Sequence, residues 1–150
     1  MTKEDLISLL VEDTLNEYQH MLFYLNSACH IKGFAREEIG EFLANEARDE
    51  MNHVEEFTKL LIEIGGSNVV KSALMQINTK IDFLDDLEDP KRILKYVLSM
   101  EEKVVERYTQ RMEDAMSVGG VDGRFVEIFL EDQILDSKKT AAHVRMLLGD

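Results

Sequence analysis

The chain has 150 residues, 45% of them apolar, with one proline, one cysteine and a formal charge of −13. That length and apolar content suit one domain with one sizeable core, burying about 68–70% of the unfolded surface, and exclude a disordered chain. Cys29 alone makes no internal disulfide and no Cys-x-x-Cys occurs, which excludes a disulfide scaffold and a cysteine zinc site, while 30 acids against 17 Lys and Arg argue against a nucleic-acid partner and suit cations or plain solubility.

The opening Met1-Thr2-Lys3-Glu4-Asp5 lacks a basic and then apolar leader, and no run of about 18 apolar residues follows, so a cytoplasmic protein without a membrane partner is expected. A first helix starts at Thr2, with Asp5 three residues on in a capping-box arrangement. Its stripe is Leu6, Leu10, Met21, Tyr24, Ala28 and Ile31, with Asp13 and Glu17 in the same row, and Gly33 breaks it. A second helix carries Ile39, Leu43, Val54, Phe57, Leu61 and Ile64, with Glu46, Glu50 and His53 between them, and ends at Gly65-Gly66. The connection over 65–89 has room for a short helix around Ser72–Asn78. Asp89-Pro90 reads as N-cap and first helical residue of a third helix, whose stripe is Ile93, Val97, Glu101, Val104, Tyr108, Met112 and Ala115. Gly119-Gly120 breaks the chain again. Asp122 then caps a fourth helix with Val126, Leu130, Ile134, Ser137, Ala141, Val144 and Leu148 on its stripe. Each helix shows one apolar stripe and no strand alternation competes. The expected fold is all-α: an antiparallel four-helix bundle, one domain over 1–150, with one long crossover between helices 2 and 3.

The informative residues interrupt the stripes. Glu17, Glu46, Glu50, His53 and Glu101 stand where apolar residues belong, and burying an ionised carboxylate costs several kcal/mol unless a partner offsets it. Glu17 lies 16 residues before Gly33 and Glu50 lies 17 after it. At 1.5 Å per residue both are about 25 Å from the same turn, so antiparallel helices bring them level. Glu50 and His53, three apart, share a helix face. Glu101 lies 19 residues before Gly120, a comparable depth in the second hairpin. Carboxylates with an imidazole suit iron, manganese or zinc. The plain alternative is that these are half-exposed residues at the stripe edge, which fits a lone glutamate better than three level ones.

Leu15-Asn16-Glu17 with Tyr24 seven residues on, then Glu50-Met51-Asn52-His53 at a spacing of 33, resembles bacterioferritin and the wider ferritin-like family. Met100-Glu101 with Tyr108 resembles that family's third helix, and Ile134-Leu135-Asp136 the start of its fourth. The resemblance implies a ferritin-like bundle in which paired irons are oxidised by dioxygen or peroxide, many members storing ferric mineral in hollow shells. It implies that Glu17 is a terminal ligand, Glu50 a bridging carboxylate, His53 a nitrogen ligand and Glu101 the third-helix carboxylate. Met51 matches a methionine that contributes to haem binding across a two-fold dimer in bacterioferritin; ordinary packing is the commoner role of such a residue.

The resemblance fails in the fourth helix, where a second Glu-x-x-His belongs and Asp136-Ser137-Lys138-Lys139-Thr140-Ala141 stands. Ser137 and Thr140, or Lys138 and Ala141, occupy the ligand positions; the first register keeps Ser137 on the stripe. Three outcomes follow: one metal on Glu17, Glu50, His53 and Glu101; an inward lysine such as Lys138 in place of the second cation; or a metal-free site with one glutamate protonated. His20, three after Glu17, offers a substitute ligand or sits at the edge; Asp13 and Glu46, about one turn from the main ligands, guide cations or sit at solvated edge positions; His30 and His143 face solvent or an interface. The 150 residues show no counterpart of the fifth helix of the 24-subunit shells, and the long connection resembles the Dps-like branch, so a dimer or dodecamer is expected. The leading functional expectation is an iron-binding protein linked to oxidation or storage with an incomplete centre. A scaffold that has lost the chemistry is the alternative, followed by an oxidoreductase using Tyr24 and Tyr108.

Overall fold

The computed structural model describes residues 1–65 and 84–150, so the short helix expected around Ser72–Asn78 lies outside the described residues. Four helices are present and no strand occurs among those residues: α1 Lys3–His30, α2 Arg36–Gly65, α3 Pro90–Val118 and α4 Gly120–Leu148. They fall into two compact units, one of Ile7–Ile93 and one of Met1–Leu6 with Leu94–Asp150.

The first unit is the α1–α2 hairpin with the strap that leads into α3. The preceding cap sets where α1 begins: the Asp5 amide donates to Thr2 Oγ1 at 3.1 Å and the Thr2 amide donates to Asp5 Oδ2 at 2.9 Å. These reciprocal bonds satisfy amides that the first turn leaves over. They hold the exposed Asp5 carboxyl below its usual range, the Thr2 amide first among the causes. At the other end His30 bonds the Asn26 carbonyl oxygen at 2.7 Å, and Gly33 turns the chain at φ 107°. Leu10, Tyr24 and Ile31 on α1 and Leu43, Phe57 and Leu61 on α2 are buried. At the hairpin turn the Lys32 amide donates to the Glu88 carbonyl oxygen at 2.9 Å, which ties down the strap before α3.

The second unit is the α3–α4 hairpin. Asp89 caps α3 as expected, its Oδ1 accepting from the Lys91 amide at 3.1 Å with Pro90 as first helical residue. Its buried row includes Val97, Glu101, Val104, Tyr108 and Ala115. Two expectations for α4 are corrected. The N-cap is Gly119, not Asp122. Gly119 and Gly120 take φ of 70° and 67°, so the helix restarts within the turn, and Asp122 falls in its first turn, paired with Lys3 at 2.6 Å. The buried face runs Gly123, Val126, Leu130, Gln133, Ser137, Ala141 and Val144, with Ile134 half-buried on its flank. Nor does α4 have a single apolar stripe: Val121, Phe125, Ile128, Leu135 and Met146 are exposed on its opposite side.

Helix α4 approaches α3 closely at Gly123. A Cβ there would stand 2.6 Å from the Ala115 carbonyl oxygen, whereas one at Gly40 of α2 would meet ordinary contacts at 3.5 and 3.6 Å. Gly→Ala within a helix is ordinarily worth about 0.5–1 kcal/mol of stability. Gly40→Ala should therefore raise stability by about that amount, and Gly123→Ala should lower it by about 1–3 kcal/mol through overpacking. Chemical denaturation of the two variants side by side checks the contrast.

Candidate metal centre

Glu17 projects from the middle of α1, and Glu50 and His53 from the middle of α2. The hairpin makes them level, and Glu50 and His53 share a face because they are one helical turn apart. One donor atom from each lies within 4.8 Å of the others. His53 Nδ1 stands 3.6 Å from Glu17 Oε2 and 3.5 Å from Glu50 Oε2. Glu17 is 2% exposed and Glu50 4%, and the His53 side chain is 12% exposed.

Two buried carboxylates side by side are resolved by a proton. Burial alone would push the Glu17 carboxyl up, but hydrogen bonding with Glu50 and with His53, and the nearby His20 and His53 rings, outweigh it and lower the group to about 2. Burial would push His53 down, but its hydrogen bonds and charge contacts with Glu17 and Glu50 raise it to about 12. The imidazolium thus stands between the carboxylates as their counter-charge.

The other expected residues distribute unevenly. Glu101 belongs to the α3–α4 unit, where it is 1% exposed. Met51, next to Glu50, is 62% exposed, so it is not packing material for its own chain. His20 and Asp13 are not solvated edge residues: they are 8% and 0% exposed, and Glu46 is half-buried. Tyr24 and Tyr108 are fully buried. His30 and His143 are exposed, and so are Lys138 and Lys139. Ser137 is buried on α4 and Thr140 half-buried. The sequence pattern missed the nearly buried Arg111–Asp114 pair at 2.7 Å; the i, i+3 spacing was the only available sign.

A model of the ferritin-like domain matches residues 7–150. The chain belongs to the ferritin-like domain family. A solved structure described as a ferritin-like, diiron-carboxylate protein from Bacillus anthracis str. Ames is 25% identical to it, covering 97% of this chain and 96% of that one with a TM-score of 0.78. Antigen TpF1 from Treponema pallidum shares the fold at 14% identity, covering 97% and 95% with a TM-score of 0.73. A search of curated protein sequences found no match. The fold is therefore the ferritin-like four-helix bundle, with its long connection between α2 and α3. No helix among the described residues is long and apolar enough to cross a membrane.

The cluster makes stability depend on pH with a definite sign. His53 is raised, so its contribution is complete below its unfolded value of 6.5 and is lost as pH rises toward about 12. Glu17 is lowered, so its contribution is complete above 4.5 and is lost as pH falls toward about 2. Metal-free protein should therefore lose stability progressively as pH rises above 6.5 because of His53. His53→Gln should flatten that slope, which denaturation midpoints from pH 6 to 9 measure.

Proposed function

We propose that this protein binds a transition-metal ion, iron before manganese or zinc, on Glu17, Glu50 and His53, and that it acts in iron oxidation or storage with an incomplete centre. The observation that carries the proposal is the convergence of two buried carboxylates and an imidazole within 4.8 Å on the α1–α2 hairpin. The donor set fits one borderline divalent ion. The family pattern adds Glu101 as a further ligand, supported by its burial and by its place in the Met100-Glu101 to Tyr108 motif. Bound iron would supply redox chemistry toward dioxygen or peroxide. Glu17 would arrive already ionised, and His53 would give up its proton to expose Nδ1, the nitrogen turned to both carboxylates. Uptake of metal would therefore release protons.

A second metal lacks its ligands on α4, where Ser137 is buried in the place of a carboxylate. That observation favours the alternative, a ferritin-like scaffold without di-iron chemistry, in which the imidazolium balances the carboxylates permanently. Haem at Met51 is the lesser alternative that the resemblance offers, supported only by the exposure of that side chain.

Titration of the metal-free protein with Fe(II) or Mn(II) should give one ion per chain, with affinity rising about tenfold per pH unit near neutrality if one proton leaves. Glu17→Ala and Glu50→Ala should each weaken binding by about 10–100-fold, and Glu101→Ala likewise if it ligates. The scaffold alternative gives the opposite outcome: crystals saturated with either ion show no anomalous peak at Glu17, Glu50 and His53, and Glu50→Ala raises stability by removing a buried charge.

A further inference from the structure

Helix α1 carries an acid and a histidine three residues apart, Glu17 and His20, and α2 repeats the pattern with Glu50 and His53. The hairpin therefore holds Glu-x-x-His twice, once on each helix. Residues at this spacing share a helix face. Glu17, His20 and Glu50 are buried, and His53 nearly so.

Antiparallel packing gives the two pairs opposite senses. His20 lies three residues nearer Gly33 than Glu17 does, and His53 three residues farther from it than Glu50. The two histidines thus start about 4.5 Å to either side of the level that the carboxylates share. Side chains on a helix lean toward its N-terminus. On α1 that lean carries His20 toward Glu17, and on α2 it carries His53 toward Glu50, so both imidazoles are directed at one level from opposite ends. His53 already stands between the carboxylates. His20 is one step back. It is outside the group whose donors lie within 4.8 Å of one another, yet its ring is near enough to act on Glu17, after burial and the hydrogen bonds with Glu50 and His53.

Around a tetrahedral ion with ligand bonds of 2.0–2.2 Å, neighbouring donors stand about 3.3–3.6 Å apart. The separations from His53 Nδ1 to Glu17 Oε2 and to Glu50 Oε2, 3.6 and 3.5 Å, match that spacing. Three donors leave at least one position open on the ion. A neutral imidazole takes it without adding negative charge to two carboxylates that a divalent ion already balances.

We propose that His20 is a metal ligand, so that both nitrogen donors of the centre come from the α1–α2 hairpin and α1 carries the Glu-x-x-His that α4 lacks. The proposal rests on metal binding at Glu17, Glu50 and His53. Its competitor is a histidine held in the core by hydrogen bonds, since His20 already interacts within its own chain. Proton NMR of the full chain with one equivalent of Co(II) separates the two, because each coordinated imidazole gives a strongly shifted, solvent-exchangeable ring N–H signal. The wild type should show two such signals, and His20→Gln and His53→Gln one each. His20→Gln should also weaken Co(II) and Fe(II) binding by about 10–100-fold. The wild-type count needs no variant, so it decides even where His20→Gln folds poorly. One signal in the wild type, kept in His20→Gln and lost in His53→Gln, would overturn the role of His20 and leave the metal on Glu17, Glu50 and His53. So would a His20→Gln protein with the wild-type count and affinity. A wild type that binds neither ion would overturn the metal centre and this ligand together.

Discussion

The α1–α2 hairpin is organised around the burial of two carboxylates. Glu17 and Glu50 stand where the stripes call for apolar side chains, and water can offer their charge little help. An uncompensated buried carboxylate costs several kcal/mol, comparable with the whole stability of a domain this size. His53 offsets that cost with a proton held between them. The arrangement depends on register: moving α2 by one residue along α1 would turn Glu50 about 100° away from the partner it needs. The short turn at Gly33 is part of the same device, because it limits how far either helix can slide.

Charge counting bears on what such a site accepts. With the ring protonated, the imidazolium stands as one positive charge beside the ionised Glu17, which also hydrogen-bonds with Glu50. With the ring neutral and a divalent ion bound to two ionised carboxylates, the sum is zero. A metal and a proton thus compete for one role, and the competition is set by geometry around His53 Nδ1 rather than by any change of fold. A second divalent ion would need two further negative charges. Helix α4 carries the buried Ser137, an acceptor without charge, and its stretch Ser137-Lys138-Lys139-Thr140-Ala141 holds neither a carboxylate nor an imidazole.

What was legible in the sequence was local. Caps that bond side chain to backbone within three residues, such as Thr2 with Asp5 and Asp89 with Lys91, follow from residue type and spacing alone. The level of Glu17 and Glu50 followed from counting outward from Gly33, because one short turn fixes the register of a hairpin. Residues whose state depends on a neighbouring helix were harder to read. Asp13 and His20 looked like edge positions on α1 alone, yet both are buried. The cap at Gly119 was hidden because two consecutive positive φ angles let the helix resume inside the turn, which residue types favour without specifying.

The second face of α4 escaped notice for a different reason. A helix with one apolar stripe announces itself by contrast with its polar side, and α4 has little contrast, since apolar residues line both sides. The stripe that was read belonged to the hairpin, and the remaining apolar residues looked like scatter until their exposure was known. Exposure of Val121, Phe125, Ile128, Leu135 and Met146 is the fact that separates the two faces, because spacing alone places apolar residues on both.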